Sequence, residues 1–153
     1  MEQQSLLSEI EFTPVLASSG KRFLNYLIDL IVFYFLIFSY GLFGAAMGFD
    51  HINSDNSVLL YLIVYLIRIG YYSLCEIIFN GRTIGKFITG TKAVNDSGTE
   101  MEPKTVVLRT LSRIVPFEPF SALGDPPNPW HDRWTNTYVI DVRKTEQNNL
   151  TQL

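Results

Sequence analysis

Residues 23–48 read FLNYLIDLIVFYFLIFSYGLFGAAMG and residues 58–79 read VLLYLIVYLIRIGYYSLCEIIF, two apolar stretches in a chain of 153. The first holds one formal charge, Asp29, and the second holds two, Arg68 and Glu76. Each exceeds the roughly 20 residues that carry a helix across bilayer hydrocarbon. The chain average conceals this, because 47% hydrophobic residues would suit an ordinary globular domain. The segregation of the apolar residues decides the class.

Fourteen Leu, Ile, Val and Phe residues in the first stretch gain roughly 0.3 to 0.6 kcal/mol each, against roughly 2.5 to 3.5 for one central carboxylate. That helix inserts unaided. The second stretch has thirteen such residues, worth roughly 4 to 8 kcal/mol in all, so with Arg68 and Glu76 its balance is close to zero. A marginal helix needs a neighbour for its charges, so the two stretches are read as one antiparallel transmembrane hairpin. The opening MEQQSLLSEIEF is polar and acidic, and the apolar run that follows is too long for a signal peptide. The expectation is an uncleaved anchor.

Positive charge near the helix ends sets orientation. Lys21 and Arg22 precede the first span and Arg82, Lys86 and Lys92 follow the second, whereas the loop FDHINSDNS at 49–57 has neither Lys nor Arg. Both termini are therefore expected to be cytoplasmic, an asymmetry hidden by the net charge of −3. The domain organisation expected is a cytoplasmic leader at 1–20, a membrane domain at 21–142 and a flexible tail at 143–153. Within that domain the spans lie at about 23–48 and 58–79, with a cytoplasmic segment at 80–142.

Beyond Phe79 the text gains Gly, Thr and Lys, and Asn95-Asp96-Ser97-Gly98 is a turn signal. Ile88–Val94 and Trp134–Val142 have strand character and predict a small β pair. Between them PKTVVLRTLSRIV starts with Pro103, suited to a helix's first position, and carries Val107, Leu108, Leu111, Ile114 and Val115 on one face. Arg109 and Arg113 share another face. This predicts a cytoplasmic amphipathic helix, either at the headgroup level with its arginines toward lipid phosphate or packed on the chain's own strands. Residues 116–134 hold five of the seven prolines and predict an irregular connector. The fold class is thus a mainly α membrane protein.

Arg22, Asn25 and Asp29 are spaced by three and four on the first helix, so they rise along one face. Tyr61, Tyr65, Arg68, Tyr72 and Glu76 form a matching stripe on the second. Asp29 then lies between Arg68 above and Glu76 below. An Asp29–Arg68 pair would be a structural ion pair, while an Asp29–Glu76 contact would need a shared proton or a cation. Both remain open at this point.

Other chemistries find little support. Gly81-Arg82-Thr83-Ile84-Gly85-Lys86 has three residues between its glycines rather than the four of a phosphate loop, and no Ser or Thr follows the lysine. It is read as a glycine-rich membrane exit with Lys86 anchored at headgroups. The lone Cys75 permits no intramolecular disulfide. His51 and His131 fall on opposite sides of the expected topology, so neither a metal cluster nor a nucleophilic triad is predicted. No cofactor, enzyme activity or nucleic-acid partner is expected.

The segments SGKRFLNYLIDLIV, NGRTIGKFITGTKAV, RTLSRIV and WHDRWTNTYVI, in that order, resemble the RDD family of bacterial membrane proteins over roughly residues 17–142. The family is named for one arginine and two aspartates. The resemblance implies that Arg22, Asp29 and Asp132 are those three residues, and that the chain sits in a bacterial cytoplasmic (inner) membrane. The family's activity is largely unassigned, with transport suggested for some members. Trp130 and Trp134 flank the last motif and suit either the membrane interface or packing in the cytoplasmic segment. A contact between Arg22 and Asp132 is expected, since their segments both approach the inner surface.

The functional expectation is an accessory or assembly subunit, in a homo-oligomer or with other membrane subunits. The alternative is an oligomeric transporter of a monovalent cation or proton. The residues expected to matter are Arg22, Asp29 and Asp132, with Asn25, Tyr65, Arg68, Tyr72 and Glu76 as an intramembrane polar network. Lys86, Arg109 and Arg113 are expected to touch lipid headgroups.

Overall fold

Helix α1 runs Ser19–Met47 and α2 runs Ser57–Ile78, in a computed structural model that describes residues 13–48, 57–115, 121 and 129–151. Ser18 caps α1 by accepting from the Lys21 N–H, and Gly48 ends it in the left-handed conformation, where L side chains are strained. At 1.5 Å per residue α1 is about 43 Å long and α2 about 33 Å, against roughly 30 Å of hydrocarbon. Both are apolar enough to cross a membrane, and nearly all of their apolar side chains face outward. In water such exposure would be very costly; in lipid it is neutral.

A short turn follows α2. Asn80 and Gly81 both take positive φ, and a side chain on Gly81 would stand 2.2 Å from the Ala93 carbonyl oxygen. Helix α3, Ile84–Thr89, is capped by Thr83 and ended by Gly90. Strand β1 is Thr91–Asn95, α4 is Pro103–Ser112, α5 is Trp130–Trp134, β2 is Thr137–Asp141 and α6 is Val142–Thr151. The strands pair antiparallel with Thr91 opposite Asp141 and Asn95 opposite Thr137. The predicted β pair is therefore present but shorter, because Ile88 and Thr89 close α3 rather than open a strand. Asn95–Gly98 is the turn expected, with the Gly98 N–H donating to the Asn95 carbonyl at 2.8 Å.

Residues 15–17 add an extended segment to the other edge of β2. Leu16 bridges Ile140, and the Ala17 N–H donates to the Val139 carbonyl at 2.9 Å. Ala17, Ala93 and Val139 form a small buried core with Met101 against it. The leader is thus tied to the sheet as far back as Val15 and to α6 through Thr13, and α1 begins at Ser19.

Residues 142–151 form α6. Thr145 accepts from the Val15 N–H at 3.0 Å, and Asn148 and Asn149 bond the Thr13 hydroxyl. Its apolar content predicts no docking, and it is polar hydrogen bonds that hold it. The loop at 49–56, with His51, lies outside the described residues, as do the two ends of the chain at 1–12 and 152–153.

Candidate functional site: a buried charge network

Asp29 lies on the face of α1 that meets α3, because α3 packs along α1 while α1 and α2 touch only sparsely. Its carboxylate is buried and accepts three hydrogen bonds from neutral donors: the Tyr71 hydroxyl at 2.7 Å, the Thr83 hydroxyl at 2.7 Å and the Gly85 N–H at 2.8 Å. Thr83 and Gly85 belong to the start of α3, whose first N–H groups have no partner within their own helix. Asp29 satisfies one of them. Asn25, one turn earlier, faces the carbonyls of Lys21 and Gly85 with its amide nitrogen (3.2 Å each) and the Thr91 hydroxyl with its oxygen at 2.9 Å. The Thr89 hydroxyl completes this polar layer.

Such close approach needs a glycine. A Cβ on Gly85 would stand 2.5 Å from the Asn25 carbonyl oxygen and 3.0 Å from Asp29 Oδ1. Gly85→Ala is expected to push α3 off α1 and to cost about 1–3 kcal/mol, the range for overpacking. Gly70→Ala, whose Cβ meets nothing within 4 Å, is the control. Thermal unfolding of both variants in detergent checks this, and equal stabilities would contradict it.

Glu76 sits on the last turn of α2 and gathers three cations. Lys86 Nζ from α3 lies at 2.7 Å, Arg113 Nη2 at 2.8 Å, and Arg109 Nε from α4 at 3.5 Å, a charge contact longer than a good hydrogen bond. Arg109 and Arg113 are four residues apart, so one helical face presents both. Arg113 also lies over the Tyr72 ring, 4.6 Å from its centre. Arg109 continues to Asp132 Oδ1 at 2.7 Å and to the Thr137 hydroxyl. Asp132 in turn binds Arg22 Nη1 at 2.5 Å, with His131 Nε2 at 3.2 Å. Arg22 reaches the Ala17 and Val139 carbonyls as well.

The result is one chain of contacts, Lys86 and Arg113 to Glu76, Glu76 to Arg109, Arg109 to Asp132, and Asp132 to Arg22. It joins α1, α2, α3, α4 and α5, and both Arg109 and Glu76 are fully enclosed, at 0% and 1% exposure. Burial pushes the Asp132 carboxyl up, but Arg109, His131 and Arg22 outweigh it and hold the group well below the usual range. Burial pushes the Lys86 ammonium down, aided by Arg113 and Arg109 and opposed by Glu76. Lys21 lies outside this network and pairs with Asp141 at 2.7 Å; burial raises that carboxyl, and the Lys21 hydrogen bond brings it below its ordinary value.

Several sequence expectations meet here and several do not. Arg22 and Asp132 touch, as expected. Asp29 pairs with neither Arg68 nor Glu76, since its oxygens are taken by Tyr71, Thr83 and Gly85 and those of Glu76 by cations. In the aromatic stripe only Tyr72 and Glu76 are buried; Tyr61 and Tyr65 are exposed and Arg68 is half-buried. Lys86, Arg109 and Arg113 all point into the protein against Glu76. Trp134 is exposed and stacks on Trp130 with ring centres 6.0 Å apart.

Sequence reasoning missed Tyr71, Thr83, Gly85 and Thr137. Tyr71 is adjacent to the stripe that Tyr72 defines, so the helical period alone set it aside. Thr83 and Gly85 fall in the stretch read as a glycine-rich membrane exit, whereas a threonine at the head of a short apolar run is also an N-cap signal.

No curated protein and no solved structure matches the chain. A family model matches residues 16–140, which span the whole of this network from Arg22 through Asp29 to Asp132, and by that match the chain belongs to the RDD family.

Proposed function

We propose that this two-span membrane protein is an accessory or assembly subunit, working in a homo-oligomer or a larger complex of a bacterial inner membrane. In this reading α1 and α2 form an antiparallel hairpin with both chain ends in the cytoplasm. The Lys and Arg flanking the spans, and their absence from residues 49–57, support that orientation. The observation that carries the role is that the buried carboxylates of Glu76 and Asp132 find their cations within the chain. Glu76 and Asp132 are shared among four cations of the same chain, and Asp29 fastens α3 to α1. These groups hold short helices onto the hairpin, and its outer face is left to lipid and to neighbouring helices. The reading requires no cofactor and no catalytic step.

A second reading, a cation or proton transporter, draws on one observation. Among the described residues Asp29 is bonded only by neutral donors, so none of them supplies a bonded cation for its negative charge. A transported ion would fill that role.

Asp29→Asn separates the two. Under the assembly reading, wild-type protein in proteoliposomes carries no Na+, K+ or proton flux, and the variant loses about 1–3 kcal/mol of stability with a changed oligomer size in detergent, the scale for a spoiled buried hydrogen-bond set. Wild-type flux that disappears in a correctly assembled, stable Asp29→Asn protein would overturn it and establish transport.

A further inference from the structure

In a water-soluble helix the polar residues face out and the apolar ones face in. Helices α3 and α4 reverse this. On α4, after the exposed start at Pro103 and Lys104, the outward residues are Val107, Leu108 and Leu111, with Leu108 47% and Leu111 44% exposed. The inward residues include Arg109, Thr110 and Arg113. On α3, Gly85 and Lys86 are buried, and Phe87 and Ile88 are 47% and 66% exposed. From Val107 onward α4 therefore presents its arginine to the protein and hydrocarbon to the surroundings, with Val106 the one apolar side chain it buries.

The depth of α4 follows from its contacts on α2. Thr110 accepts from the Ser73 hydroxyl at 3.2 Å and Arg113 lies over Tyr72. Tyr72 precedes the end of α2 by six residues, about 9 Å at the helical rise. Helix α4 thus starts near the level where α2 ends and climbs back beside it, its last turn alongside the membrane-spanning part of α2. The outward surface is continuous with that of the spans. Phe79, just past α2, meets Phe87 edge-on at 5.3 Å, next to exposed Ile78 and Ile88. The Ser112 hydroxyl returns to the Leu108 carbonyl at 2.9 Å, as the Ser39 hydroxyl on α1 returns to Phe35 at 2.8 Å, so neither needs water.

We infer that α3 and α4 are re-entrant membrane helices, whose exposed apolar faces are covered by lipid acyl chains of the leaflet beside the sheet. The inference rests on the two-span reading of α1 and α2. It gives the inward charges a reason: an arginine on a helix at this depth must turn to Glu76, because hydrocarbon offers it nothing. Lipid is the occupant that continuity with the spans selects, and a second copy of the chain is the alternative to be tested.

The test uses the full chain in a Cys75→Ala background. Single cysteines replace Phe87, Ile88, Leu108 or Leu111, with Phe35 on α1 and Ser97 in the β turn as references. Each is labelled with an environment-sensitive fluorophore in phosphatidylcholine–phosphatidylglycerol vesicles. Only variants that elute at the wild-type size are read. Chain-brominated lipid is expected to quench labels at 87, 88, 108 and 111 as it does at 35, whereas aqueous iodide quenches only the label at 97. Iodide quenching at 108 and 111 equal to that at 97, with 35 quenched by brominated lipid, would overturn the re-entrant placement and leave the spans intact. Loss of brominated-lipid quenching at 35 would remove the two-span reading as well. Labels at 108 and 111 reached by neither quencher, with disulfide-linked dimers forming through Leu111→Cys, would assign the face to a second copy and refute lipid.

Discussion

Glu76→Gln is expected to destabilise the protein by about 3–5 kcal/mol, the scale for removing one partner of a buried ion pair. The carboxylate is the only acid that Lys86 is paired with among the described residues, it holds Arg113 at 2.8 Å, and Arg109 leans on it from 3.5 Å. Neutralising it leaves three cations facing one another in a medium that screens poorly. The pair as such contributes little net stability, since the desolvation of four ions offsets their attraction. Its removal is costly because the remaining charges stay behind. Lys86→Met is expected to do much less harm, because Arg109 and Arg113 still neutralise Glu76 and one excess cation is gone. Thermal unfolding and elution profile in one detergent compare the two. A Glu76→Gln protein that unfolds at the wild-type temperature would show that the network bears no load.

The second large effect concerns Arg22 and Asp132, which a pairwise view would test by exchanging them. Here the exchange is expected to fail. Asp132 binds Arg22 and Arg109 at once, so an arginine placed at 132 would confront Arg109, and an aspartate at 22 would face the Ala17 and Val139 carbonyls. Arg22→Asp with Asp132→Arg should be no more stable than Asp132→Asn alone, itself down by about 3–5 kcal/mol. Full rescue by the exchange would mean that Arg109 is not part of the contact.

The same group gives a pH signature. The folded pKa of Asp132 is depressed by Arg109, His131 and Arg22 against the opposing effect of burial. Its contribution is therefore complete above the unfolded value near about 3.9 and is lost as pH falls toward the folded one. Wild type should lose stability on acidification below about pH 4. Asp132→Asn should lack that component, and unfolding measured across the acid range in both proteins checks the difference.

The spans, the Asn95–Gly98 turn, the strand pair and the helix starting at Pro103 are all legible in the sequence, since each rests on local pattern: apolar length, turn chemistry, β-branched runs and proline position. The contact between Arg22 and Asp132 was legible too, because both stand in recognisable blocks of sequence. The outward and inward faces of α4 were not. Periodicity shows that Val107, Leu108 and Leu111 share a face apart from Arg109 and Arg113, but it has no sign, and assigning the apolar side to protein or to lipid requires knowing what lies beside the helix. The helix at 142–151 was not legible for a related reason: its polar text carries no apolar stripe, and it is held by Thr13 and Val15, some 130 residues away in sequence.

The two apolar stretches by themselves determined two helices long and apolar enough to cross a membrane, because that capacity depends on length and composition alone. They also showed that Asp29, Arg68 and Glu76 needed attention. Which partners answer them was decided by tertiary structure: α3 brings Thr83 and Gly85 to Asp29, and α4 brings Arg109 and Arg113 to Glu76. Arg68 was drawn into neither set. A buried charge takes whichever donors the fold sets within about 3 Å of it, and helical spacing can place that charge on a face without naming what the face will meet.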